Sequence, residues 1–220
     1  TNIDDPSAYF QTLLWTGNDV DGRALTNDGN SDLQPDLVWL KNRNVGYNHF
    51  LVDSSRGTSV YLSSNTTAAD TTWTNLVESF DTDGFTVGDD GSQVPNHTGN
   101  TFVGWQWKAN GGTTSSNTNG TITSTIQANT DAGFNIVTYT GTGSAATIGH
   151  GLGVAPAMYI VKNRDQTGTN WTVFHKDLTS NAYSLYLNST AAQSNSVGYW
   201  NGTSPTSTVF SIKNTSGDVN

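Results

Sequence analysis

Gln34-Pro35-Asp36-Leu37-Val38-Trp39-Leu40-Lys41-Asn42-Arg43 returns, altered but recognisable, as Ala155-Pro156-Ala157-Met158-Tyr159-Ile160-Val161-Lys162-Asn163-Arg164. In each copy a Pro leads into a short apolar run that Lys-Asn-Arg closes. Pro fits the entry of a β-strand, because the first residue need not donate to the ladder. The correspondence extends in both directions. Upstream, Phe10-Gln11-Thr12-Leu13-Leu14-Trp15-Thr16-Gly17 is echoed by Phe134-Asn135-Ile136-Val137-Thr138-Tyr139-Thr140-Gly141. Downstream, Tyr61-Leu62 matches Tyr186-Leu187, and Phe85-Thr86-Val87 matches Phe210-Ser211-Ile212. Blocks that recur in one order imply a duplicated domain. The period far exceeds the roughly 20–50 residues of solenoid repeats, so each copy is expected to carry its own core.

Composition narrows the fold class. The 220 residues carry only 12% charged side chains, and Thr, Ser, Asn and Gly supply the polar surface. These are poor helix formers, whereas Thr, Val, Ile and the aromatics suit pleated surfaces. The apolar residues recur near every second position in short runs separated by turn residues, which predicts strands. The expectation is an all-β chain of two tandem antiparallel β-sandwich, jelly-roll-like domains. The first domain is placed at 1–110, a Gly/Thr/Ser/Asn-rich linker at 111–124, and the second domain at 125–220.

The copies differ at their ends. The first has the strand Thr101-Phe102-Val103-Gly104-Trp105-Gln106-Trp107-Lys108, with Val103, Trp105 and Trp107 on one face. Nothing in the second corresponds to it, so that domain is expected to lack its last strand. Either further chain or a neighbouring subunit would then have to cover the edge.

Net charge is −9 with nine Lys plus Arg scattered along the chain. Counterion release on nucleic acid needs clustered basic side chains, so no nucleic-acid partner is expected. An acidic chain without an apolar run of about 18 residues is not expected to engage a membrane. Without Cys there are neither disulfides nor thiolate metal ligands.

The candidate chemistry is sparse. Asp19, Asp21, Asp28 and Asp32 lie within one Gly-containing stretch, and clustered carboxylates are the ligands that Ca²⁺ prefers, so they form the candidate calcium loop. The competing reading is that Asp-Gly and Asn-Asp-Gly simply make turns. The Lys-Asn-Arg triplets present Lys41, Arg43, Lys162 and Arg164 either to an acidic ligand or as charged strand ends whose stems cover apolar surface. Among the seven Trp residues, Trp73 and Trp200 fall in predicted loops and are the candidates for stacking on a ligand. The carboxylates Asp53, Glu78 and Asp177 show no pairing pattern, and nucleophile-elbow and helix-face metal motifs are lacking. No enzymatic activity and no cofactor other than Ca²⁺ is expected.

Taken with Asp53-Ser54-Ser55-Arg56-Gly57, Phe80-Asp81-Thr82-Asp83-Gly84-Phe85, Trp107-Lys108-Ala109-Asn110-Gly111-Gly112 and Gly149-His150-Gly151-Leu152-Gly153, the repeated block resembles tandem β-rich domains of marine bacteriophage virion structural proteins of the tail-fibre-like or capsid-surface kind. That resemblance implies a non-enzymatic component of a fibre, appendage or capsid-surface decoration, located in the virion. Its partners would be other virion proteins and copies of itself. The alternative is a carbohydrate-binding adhesin that recognises host surface polysaccharide with calcium assistance, through Trp73, Trp200 and the acidic loop.

Overall fold

The computed structural model describes residues 3–92, 94–195, 197–214 and 217–220. The fold is all-β, and among the described residues the helical content is a single 3₁₀ turn at Pro6–Ala8. The chain divides into two compact units, one of residues 1–63 and 70–113, the other of residues 64–69 and 114–220.

The first unit contains β1 (Phe10–Thr16), β2 (Arg23–Thr26), β3 (Leu37–Asn42), β4 (His49–Asp53), β5 (Gly57–Leu62), β6 (Thr71–Thr72), β7 (Ser79–Asp81), β8 (Gly84–Val87) and β9 (Thr101–Trp107). One sheet runs β1-β9-β3-β4-β5-β6 and the other β2-β8-β7, with antiparallel pairing throughout. Strict alternation fixes which face is buried. Along β1 the residues Gln11, Leu13 and Trp15 turn inward while Phe10, Thr12, Leu14 and Thr16 turn out. Leu13, Trp15, Val38, Leu40, Phe50, Val52 and Phe102 of the large sheet meet Leu25, Phe85 and Val87 of the small one in a single core. Burying each such side chain contributes roughly 1.5–3 kcal/mol. β9 carries Gly104 at the centre of this layer, where an added Cβ would press on Phe85, Trp15 and Leu40. The tight β7–β8 hairpin depends on Gly84, whose φ is +111° and whose missing side chain leaves room for the Leu25 carbonyl.

The second unit contains β10 (Ser115–Asn117), β11 (Ser124–Asn129), β12 (Phe134–Thr138), β13 (Ala146–Gly149), β14 (Met158–Lys162), β15 (Trp171–His175), β16 (Leu185–Tyr186) and β17 (Val209–Ile212). Its sheets are β10-β11-β12, β13-β17 and β14-β15-β16. The core gathers Ile122, Ile148, Val161, Phe174, Tyr199, Trp200, Phe210 and Ile212. Two arrangements repeat the first unit strand for strand. β13 pairs antiparallel with β17 as β2 pairs with β8, and β14-β15-β16 run side by side as β3-β4-β5 do.

The stretch 111–124 is not a free linker. Ser115–Asn117 pairs with Ser124–Ile126, while Asn117, Ile122 and Ser124 are buried in the second unit. Its polar composition hid this, because Ser, Thr and Asn satisfy a strand ladder with their backbone whatever their side chains. Residues 64–69, read as a polar loop of the first domain, belong to the second unit, where the Thr67 carbonyl accepts the Gly168 N–H at 2.8 Å.

Candidate functional site

The acidic stretch does not close around an ion. Asp19 Oδ1 accepts the Thr98 N–H at 2.7 Å and lies 3.2 Å from His97 Nδ1. Hydrogen bonds from Thr98, chiefly from its backbone, hold the Asp19 carboxyl below the usual carboxylate range. Asp21 Oδ1 accepts the Asp89 N–H at 2.8 Å, and Asp28 and Asp32 lie exposed on the loop. That loop is fastened by neutral groups instead: Gln11 Nε2 donates to the Ser31 carbonyl at 2.8 Å, and Gln11 Oε1 accepts from Gly29 N at 3.0 Å. Among the described residues, no group of three or more His, Asp or Glu side chains is placed to hold a metal ion. Asp19 and Asp21 therefore act as separate turn latches, and the four carboxylates of the expected calcium loop are not gathered into one site. Thermal unfolding in 1 mM-range chelator is expected to match that in millimolar Ca²⁺; a shift upward with Ca²⁺ of about 4 °C or more would restore a calcium site.

The stacking candidates are likewise relocated. Trp200 is 0% exposed and sits in the second core, edge-on to Tyr159 with ring centroids 4.8 Å apart. Gly198, Asn201 and Gly202 all have positive φ, and this chain of turns folds the Tyr199-Trp200 pair inward. Trp73 is half-buried, packs on Phe50 and Tyr61, and donates its Nε1–H to Asp90 Oδ2 at 2.7 Å. The Trp200 ring therefore has no free face of the kind that the adhesin reading required, while Trp73 is partly covered by Phe50 and Tyr61. An apolar Tyr-Trp pair flanked by Gly and Asn-Gly was the available signal for Trp200.

The Lys-Asn-Arg triplets perform the same local task in both units. Lys41 Nζ donates to the Asn42 and Val45 carbonyls at 2.5 and 3.2 Å, and Lys162 Nζ donates to the Thr169 carbonyl at 3.0 Å and its hydroxyl at 2.7 Å. The Asn side chains then cap the turn, Asn42 Oδ1 accepting from Asn44 N and Val45 N, and Asn163 Oδ1 from Asp165 N. The triplet is thus a strand terminator. Of the candidate carboxylates, Asp53 is committed to the β4–β5 turn through Arg56, and Asp177 to the exposed Lys176. Burial, then the nearby Asp21, raises the Glu78 carboxyl.

What sequence reasoning left unweighed is the outward face of the large sheet. Register places Phe10 beside Trp107 and Trp107 beside Leu37, with Trp105 beside Trp39 in the next rung. Phe10 and Trp107 lie 5.0 Å apart, Trp39 and Trp105 6.0 Å, and Trp39 and Trp107 6.4 Å. Trp39 Nε1 donates to His49 Nδ1 at 3.0 Å, which fixes the ring. Phe10 is 40% and Leu14 57% exposed. The signal was present as the Val103, Trp105, Trp107 alternation, but alternation alone does not say which face is inward.

In the second unit the equivalent outward positions of β14 are bare: Met158 is 54% and Ile160 38% exposed. Several polar groups of this unit are paired with one another, although the buried Tyr159 and Thr172 hydroxyls lack a hydrogen-bond partner among the described residues. Tyr199 Oη donates to Asp218 Oδ2 at 2.7 Å and meets Tyr186 Oη at 2.8 Å, and Asp218 Oδ1 accepts from Asn170 N at 2.7 Å. His150 is 2% exposed, its Nε2 3.1 Å from the Thr206 carbonyl and its Nδ1 accepting from Leu152 N at 3.2 Å. That pattern assigns the neutral Nε2–H tautomer.

Burial pulls the His150 pKa below its ordinary value of 6.5, outweighing the Thr206 bond, which pulls the other way. Since the folded state disfavours the imidazolium, its contribution to stability is complete above pH 6.5 and shrinks as pH falls below it. Melting curves between pH 7.5 and 5.5 should show stability falling on acidification with a slope of up to about 1.4 kcal/mol per pH unit. His150→Gln should flatten that slope, and an equally steep variant would remove His150 as its source.

No curated protein and no solved structure matches the chain. One family model does, over residues 5–220, and by that match the chain belongs to the DUF7483 family, a domain of unknown function.

Proposed function

We propose that this chain is a non-catalytic structural module of a bacteriophage particle, part of a fibre, appendage or capsid-surface decoration. The observation that carries the reading is the exposed apolar strand β14. Met158 and Ile160 stand outward on a sheet edge, a surface whose burial against a neighbour is favourable and whose exposure in a free monomer is a liability. Asp53 and the Lys-Asn-Arg triplets serve as turn latches and caps, and this agrees with a scaffold. The motif resemblance supplies the particle. Mass spectrometry of virus particles from the source, banded on a density gradient, should recover peptides of this chain with the particle peak. Their confinement to soluble host fractions would overturn the proposal.

A second reading is favoured by a different observation. The half-exposed grid of Phe10, Trp39, Trp105 and Trp107 offers ring area of the kind that stacks on sugar faces. In that reading the chain contacts host surface polysaccharide through the first unit. Glycan-array binding that Trp105→Ala abolishes would support it, and a blank array would end it.

A further inference from the structure

One block of the repeat is used differently in its two copies. Asn65-Thr66-Thr67-Ala68-Ala69, which follows β5, returns as Asn188-Ser189-Thr190-Ala191-Ala192 after β16. Both copies fold into the same local turn: Ala68 N donates to Thr66 Oγ1 at 3.4 Å, and Ala191 N donates to Ser189 Oγ at 3.1 Å. The first copy is built into the second unit, where the Thr67 carbonyl accepts the Gly168 N–H at 2.8 Å and Ala69 N donates to Thr167 Oγ1 at 3.4 Å. Thr66 to Ala69 are half-buried there. Ser189 to Ala192 are exposed instead, and the Thr190 carbonyl accepts no hydrogen bond from the described residues.

The receiving loop is duplicated as well. Register pairs Lys41 with His49 and Lys162 with Trp171, so the loops joining these strands correspond. Gly46 stands three residues before His49, as Gly168 stands three before Trp171. Gly46 and Tyr47 are exposed, and the Gly46 N–H finds no acceptor among the described residues. The first loop is one residue shorter, and Gly46 lies outside the left-handed region in which Gly168 has φ +90°. Glycine crosses between the two conformations at little steric cost, so the loop can adopt the receiving form.

We propose that the chain associates head to tail with a second copy. Residues 188–192 of one protomer dock on the loop of residues 42–48 of the next, and the Thr190 carbonyl accepts the Gly46 N–H. The occupant is a second copy because this sequence itself supplies both the segment and the loop, in the pairing that Thr67 and Gly168 already make. Such a contact is heterologous, so it repeats from copy to copy and builds rings or filaments. It is small and weak by itself, and gains from the high local concentration inside an assembly. The inference goes beyond the particle reading, and it does not draw on the exposed edge of β14.

The chain has no Cys, so single cysteines report the contact directly. Full-length Gly46→Cys and Thr190→Cys chains are mixed under mild oxidation; residues joined by a backbone hydrogen bond stand within disulfide reach. The mixed 46–190 dimer is expected at least about tenfold above that of Gly46→Cys with the exposed control Asn30→Cys. In the wild-type chain, hydrogen-exchange protection at 45–47 should rise with protein concentration, and Ala191→Arg should abolish the rise. If Gly46→Cys does not fold, the exchange measurement decides alone. A mixed yield no greater than the control, protection independent of concentration, or protection gained at 158–162 alone would each overturn the proposal. Head-to-tail pairing by a chain missing from virus particles would sink only the particle reading. Particles built from chains that do not pair in this way would sink only this one.

Discussion

Replacing Trp200 by alanine is expected to destabilise the chain by about 3–5 kcal/mol, as for other large-to-small changes of a fully buried aromatic. Trp200 stands at the centre of the second core, edge-on to Tyr159 and Phe174 and tilted against Tyr199. Its Nε1–H donates to the Tyr183 carbonyl at 3.2 Å. Alanine would leave a cavity lined by rings that cannot collapse without leaving their rotamers, and would orphan that carbonyl. Urea titration followed by far-UV circular dichroism measures the loss without relying on the deleted fluorophore. Trp200→Phe keeps much of the volume and should lose less than half as much. A cost below about 1 kcal/mol for the alanine variant would mean that the ring lies at the surface after all, as the loop reading held.

Asp36→Ala is the second large effect, expected at about 3–5 kcal/mol and confined in cause to the first unit. The side chain is 0% exposed. Oδ1 accepts from Ser54 Oγ at 2.6 Å and Gly112 N at 2.7 Å; Oδ2 accepts from Ala109 N at 2.6 Å and Gly111 N at 2.9 Å. Removing the carboxylate would strip the return turn after β9 of its acceptors and leave the buried Ala109 N–H unpaired. Asp36→Asn should be nearly as damaging, because its amide –NH₂ would face backbone N–H donors and only one oxygen would remain. The same titration checks both variants. An asparagine variant of wild-type stability would show that one acceptor oxygen is enough.

Much of the architecture could be read from the chain alone. The Leu37–Leu40 and Met158–Val161 runs, the Phe80–Val87 hairpin and the alternation of Phe102 to Trp107 are local patterns, and period-2 burial translates them directly into strands. The repeated blocks on β3 and β14, β5 and β16, and β8 and β17 land on strands that share a corresponding partner, whereas β1 pairs with β9 and its match β12 with β11.

The candidate sites were far less legible. A carboxylate in a turn has the same letters whether it coordinates an ion or accepts a backbone N–H, and only the positions of Thr98 and Asp89 show that Asp19 and Asp21 do the latter. Trp200 was misplaced for a similar reason: loop residues carry no periodicity, so nothing local distinguishes a ring folded inward from one left outside. Asp36 could not be singled out, since its partners at 109–112 lie far along the chain and come close only once β9 has paired with β3.

By itself, then, the sequence determined the all-β class and the positions of the repeated apolar runs, because these follow from alternation and turn chemistry between near neighbours. Tertiary structure alone decided which Trp rings are core, that 115–117 pairs with 124–126, and that the apolar edge of β14 is turned outward. These depend on which distant segments meet, and on which side chains that meeting leaves uncovered.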